Sequence, residues 1–130
     1  MDKHKARFVA RGFSQVEGID YDENFSPIAR YSSIIYMLAL SAQMGWKIHQ
    51  IDVKIAFLNG QIEEEVYIEQ LEGFETFDCE LHVCRLKRAL YGMKQASRDW
   101  YVRIDKYFTR LGSKKSEVVA NLYHIMVEGK

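Results

Sequence analysis

The sequence is poor in residues that would staple a fold or break it. It has two cysteines among 130 residues, too few for a disulfide framework. Cys79 and Cys84 flank His82 as C-x2-H-x-C, a poor spacing for zinc with no fourth ligand nearby. Two reduced thiols in an intracellular protein are the simpler reading. Pro27 is the only proline. Neither charge sign is in surplus, with 18 basic and 18 acidic residues. Phosphate contacts supply most of the affinity of nucleic-acid binders, so the balance argues against strong autonomous binding. No apolar run is long enough to span a bilayer, which predicts no membrane partner. Met1 to Ala10 is basic and lacks the apolar stretch of a signal peptide. There is no internal repeat and no low-complexity segment.

What is present suits one globular domain with a modest core. The chain is 48% hydrophobic and 28% charged, ordinary for such a domain. Phe8 to Phe13 reads as a short strand, Gly18 to Asp22 as a turn, and Pro27 as part of an extended connector. Ser32 or Ser33 is a plausible N-cap for a mostly buried helix from Ile34 to Met44, closed by Gly45. Trp46 to Val53 alternates like a strand, and Asn59-Gly60 signals a turn. Val66 to Glu69 and Leu81 to Leu86 read as two more strands. Trp100, Ile104, Tyr107, Phe108 and Leu111 lie on one face of an amphipathic helix ended by Gly112. Asn121 to Val127 has the composition of a last strand. Helices and strands mix without a regular βαβ rhythm, so the fold class is α+β.

The most informative stretch is KIHQIDVKIAFLNG, Lys47 to Gly60. Asp52 stands at the end of a short alternating run, directly before Ile55-Ala56-Phe57. A carboxylate at a strand end, beside a small residue and an aromatic, can anchor Mg²⁺ and shape a nucleotide pocket. Taken alone, a single Asp more often ends a strand or caps a turn. The stretch resembles the first catalytic motif of copia-type (Ty/copia) retrotransposon reverse transcriptases, whose usual form is close to DVKTAFLNG. KARFVARGFSQVEGIDYDENFSPIAR at Lys5 to Arg30, EEEVYIEQLEGF at Glu63 to Phe74 and RALYGMKQASRDWY at Arg88 to Tyr101 resemble the same family in the same order.

The resemblance implies the fingers and part of the palm of a right-hand polymerase. It implies a small, mostly antiparallel sheet with helices packed on one face. The Trp46 to Val53 strand would be central and Asp52 would lie on the opposite face. Asp52 would be the catalytic, metal-ligating carboxylate. Ala56 would line the triphosphate path. Phe57 would lie under the sugar, where a flat ring excludes a ribose 2′-hydroxyl. Lys5 and Arg7 would hold the incoming triphosphate, Arg7 foremost because its fork meets phosphate oxygens in pairs. Tyr91 would pack on the nucleotide, Gly92 would let backbone approach it, and Lys94 would reach a phosphate. Arg7, Asp52, Phe57 and Tyr91 to Lys94 are expected on one concave face.

Some positions depart from the family pattern. Ile55 replaces the usual threonine and Leu71 a proline. Where the family continues A-P-R-x-W-Y, Ser97 replaces the proline, as a good N-cap, and Asp99 fills the variable position. Asp99 suits a helix N-terminus but adds negative charge near a phosphate path. Glu63 to Glu65 reads as a solvated face. The family's second catalytic element is a Y-V-D-D hairpin, and no two aspartates are adjacent here. Residues 1–130 are therefore expected to be a partial reverse transcriptase domain, fingers and N-terminal palm, without the hairpin, thumb or RNase H. It would be inactive alone. The complete enzyme would use Mg²⁺, an RNA/DNA template-primer, deoxynucleoside triphosphates and the remainder of the Pol polyprotein, in a cytoplasmic virus-like particle. The alternative is a non-catalytic relic or a co-opted module that binds nucleic acid or a partner.

Overall fold

The computed structural model describes residues 4, 6–76, 78 and 81–126. Lys5, Cys79 and Val127 lie outside them. The chain divides into two compact units. One comprises residues 1–25 and 55–103, the other residues 26–54 and 104–130. Helix α1 (Tyr31–Met44) lies in the second unit, and helix α2 (Ala96–Arg110) begins in the first and ends in the second. Strands β1 (Tyr67–Ile68) and β2 (Cys84–Arg85) belong to the first unit; β3 (Lys114–Lys115) and β4 (Tyr123–His124) belong to the second. The architecture is α+β, with two small antiparallel sheets, β1–β2 and β3–β4.

Both helices form where their patterns place them, with shifted starts, but α1, expected to be mostly buried, buries only Ser41. α1 begins at Tyr31 after an extended Arg30, without a side-chain cap. Ser32 and Ser33 lie within its first turn, so neither is the N-cap. α2 already includes Ala96, so Ser97 is not its cap either. The closures are as expected. Gly45 N–H bonds the Ala42 carbonyl and Trp46 N–H the Ser41 carbonyl, with Gly45 left-handed at φ 66°. Gly112 and Ser113 repeat the arrangement on Thr109 and Phe108, the double closure that follows a left-handed glycine.

The expected strands shrink or vanish. Trp46 to Val53 has no strand structure and joins neither sheet, so it is not the centre of a sheet. Its alternation makes it fit a pleated surface, but a strand exists only against a neighbour. Phe8 to Phe13 keeps one parallel bridge, Val9 to Tyr91, and turns as a 3-10 helix at Gly12–Ser14.

The apolar core sits in the first unit. Val66, Ala89, Met93 and Ala96 are buried together, with Ala10, Phe57, Ile62, Leu86 and Leu90 packed around them. Segments 60–68 and 84–89 run antiparallel beside this cluster through β1–β2, the Gln61–Arg88 bridge and the Ala89 N–H bond to the Gly60 carbonyl.

Candidate functional site

Three of the motifs meet in the first unit. Ala10 N–H donates to the Tyr91 carbonyl at 2.7 Å, beside the Val9–Tyr91 bridge. Arg7, two residues earlier, is exposed. Ala56 precedes a 3-10 turn at Phe57–Asn59 and is half-buried. That turn carries Phe57 to Tyr91, where the rings meet edge to face, centroids 5.5 Å apart at 74°. An aromatic pair in this geometry fixes both rings. Gly92 takes φ 89°, and a Cβ there would overlap the Ala10 carbonyl oxygen. Lys94 is exposed.

Asp52 belongs to the second unit and is exposed, in a stretch without regular structure. Among the described residues, no group of three or more His, Cys, Asp or Glu could hold a metal ion. Between Asp52 and Phe57, Ile55 adopts φ 52°, an outlier for a β-branched side chain.

A second polar cluster was not legible in the motifs. Arg98 donates from Nη1 to the Glu23 carbonyl at 2.8 Å and pairs with Glu64 and with Asp99. Burial opposes the Arg98 charge, but its bonds to Glu64 and Asp99 prevail and hold its pKa above the ordinary value. Burial pushes the Asp99 carboxyl up to about 6, with the charges of Glu64 and Glu63 acting the same way against the lowering by Arg98. Glu64 Oε2 and Asp99 Oδ2 are buried without a hydrogen-bond partner. Glu64 is thus an exception to the solvated face expected for Glu63 to Glu65. Asp99 lies in the first turn of α2 as expected, but 6% exposed. The available signal was the Arg98-Asp99 pair opening a helix; nothing in the sequence points to Glu64 as its partner.

The reverse transcriptase (RNA-dependent DNA polymerase) family model matches residues 1–130. The chain is 49% identical over 105 residues, 81% of its length, to the Retrovirus-related Pol polyprotein from transposon TNT 1-94 of Nicotiana tabacum. It is 40% identical over all 130 residues to the corresponding polyprotein from transposon RE1 of Arabidopsis thaliana. It is 35% identical over 108 residues, 82% of its length, to the Transposon Ty1-BL Gag-Pol polyprotein of Saccharomyces cerevisiae. The matched part covers 8%, 9% and 6% of those three relatives. No solved structure matches. No helix among the described residues is long and apolar enough to cross a membrane. With the family model matching residues 1–130 and these relatives at 35–49% identity, the chain belongs to the reverse transcriptase family, in its copia-type retrotransposon branch.

Proposed function

We propose that this chain is the nucleotide-holding part of a retrotransposon RNA-directed DNA polymerase, which acts by nucleotidyl transfer within a larger Pol polyprotein. The observation that carries this reading is the meeting of Phe57 and Tyr91 beside the Val9–Ala10 arm. Those residues come from three separate motifs, and one small ligand needs all three. The Phe57 ring offers a flat wall for a deoxyribose, and a ribose 2′-hydroxyl would press against it. Arg7, Lys94 and Lys5 supply positive charge for the triphosphate, and Ala56 leaves it room. Tyr91, braced by Phe57, packs on the nucleotide. In the complete enzyme an RNA/DNA template-primer and the remainder of the polyprotein complete the surface.

Asp52 is the metal-ligating carboxylate in this reading. Mg²⁺ pairs in phosphoryl transfer take several carboxylates, and the described residues gather no such set. Among the described residues the fit is therefore incomplete, with Asp52 as the carboxylate this reading offers the ion. The 130 residues alone are expected to give no primer extension with Mg²⁺, a primed RNA template and deoxynucleotides. Binding is the sharper test. Titration with dATP and ATP, followed by NMR, should show tighter binding of dATP, and Phe57→Ala should abolish the difference. Equal binding of the two nucleotides by the unmodified chain would refute the sugar wall.

A further inference from the structure

The loop that carries Tyr91 and Lys94 is held by one short stretch of the N-terminal arm. Gln15 Oε1 accepts the Lys94 backbone N–H at 2.8 Å. Gln15 Nε2 donates to Gln95 Oε1 at 3.1 Å. Gln95 is fully buried, and its own Nε2 donates to the Asp20 carbonyl at 3.2 Å. These bonds settle the direction of both amides, since a flipped Gln15 would set donor against donor at Lys94. The two backbones also touch: a Cβ on Gly12 would overlap the Gly92 carbonyl oxygen. In this structure Gln15 makes its bonds to the loop.

We propose that Gln15 is a positioning residue, which fixes the backbone at Lys94 and so sets where the ammonium group meets a nucleoside triphosphate. The proposal rests on the nucleotide reading above. A lysine side chain is a point charge on a flexible stem, so its reach is defined by the backbone that carries it. Gln15 ties that backbone to the buried Gln95, which is itself anchored at Asp20. A hydrogen-bonded amide network of this kind behaves as a unit.

The test is a double-mutant cycle on the 130-residue chain, with dATP and Mg²⁺ as probe and NMR as readout. Gln15→Met keeps the side-chain length and removes both hydrogen bonds. Gln15→Asn, one carbon shorter, is the second variant and serves if the first fails to fold. Either is expected to weaken dATP binding by roughly five- to tenfold, the size of one lost hydrogen bond. Lys94→Ala should do the same, and the double variant should be no weaker than Lys94→Ala alone. The Lys94 amide resonance should also move in the Gln15 variants without nucleotide. Losses that multiply in the double variant, unchanged binding by both Gln15 variants, or an unmoved Lys94 amide would overturn the positioning role while leaving the nucleotide reading intact. If the unmodified chain does not bind dATP at all, the nucleotide reading falls, and the positioning role falls with it; if Lys94→Ala binds dATP as tightly as the unmodified chain, the positioning role alone falls.

Discussion

The two units use apolar residues in opposite ways. Among the described residues, every buried apolar side chain lies in the first unit: Tyr21, Val66, Ala89, Met93 and Ala96. Among its described residues, the second unit buries only Ser41. Yet α1 contains no charged residue, and Ile34, Ile35, Tyr36, Met37 and Leu38 are all exposed. A cavity of about 450 Å³ lies beside it, lined by α1, by Trp46 to Ile48 and by Val119, Asn121 and Leu122. Apolar content therefore does not by itself make a core. The first unit closes around a few apolar side chains, and polar groups cross-link its segments at Gln15–Gln95 and at Arg98. Among the described residues the second exposes more large apolar side chains, and its polar links include Asn121 to the Pro27 carbonyl and Tyr123 to Asp105.

Each unit contains one tryptophan, Trp100 in the first and Trp46 in the second, so the comparison can be broken experimentally. Arg98→Met is the largest expected lesion. It leaves Glu64 and Asp99 with no cation, their side chains only 16% and 3% exposed. Removing one partner of a buried pair costs about 3–5 kcal/mol. In a Trp46→Phe background, urea unfolding followed by Trp100 emission should shift to lower denaturant. In a Trp100→Phe background the Trp46 signal should stay in place. If both signals move together, the two units unfold as one cooperative body and the contrast is only geometric.

The pH dependence is next in size. Asp99 titrates at about 6 in the folded chain against an ordinary 3.8. The folded state therefore binds the proton more tightly than the unfolded state. Its stabilising effect is complete below about pH 4, declines as pH rises to about 6, and is then gone. That interval corresponds to about 3 kcal/mol at most. Asp99→Asn should flatten this part of the Trp100 stability profile. A profile that rises between pH 4 and 6 in the unmodified chain, and loses that rise in Asp99→Asn, would contradict the burial argument.

What the sequence made legible follows from range. The helices were readable because their signals are local: α2 from a repeating apolar face, and both from a closing glycine. Their starts were not, since an extended Arg30 without a cap carries no distinctive residue. The strand at Trp46 to Val53 failed because alternation says nothing about a partner. Of the site residues, Phe57 and Tyr91 meet edge to face in the first unit, whereas Asp52 belongs to the second. The Arg98–Glu64 pair and the Gln15 bonds were invisible because they join residues 34 to 80 positions apart. A charge run such as Glu63 to Glu65 looks uniform until one member turns inward.

Ile55 offers a smaller test within the first unit. A β-branched residue at φ 52° costs roughly 1–2 kcal/mol, and Ile55 is 57% exposed, so little burial is lost by replacing it. Ile55→Asn should raise stability by about 1 kcal/mol, because asparagine tolerates the left-handed region. The bond from Asn59 Nδ2 uses the Ile55 carbonyl and survives the change. Asparagine that destabilises the Trp100 transition would mean that the isoleucine side chain is packed in solution.

The smallest effect on stability is expected where the apolar surface is greatest. Ile35→Glu and Tyr36→Lys alter the middle of α1, at side chains 62% and 66% exposed. Substitutions at such sites change stability by about 0.5 kcal/mol or less, so the Trp46 transition should hardly move. Solubility should improve clearly, because a contiguous apolar surface promotes association and each change puts a charge into it. The opposite pairing of results would be informative. A large loss of stability with no gain in solubility would mean that α1 is covered by its own unit in solution. The contrast between a closed first unit and an open second one would then disappear.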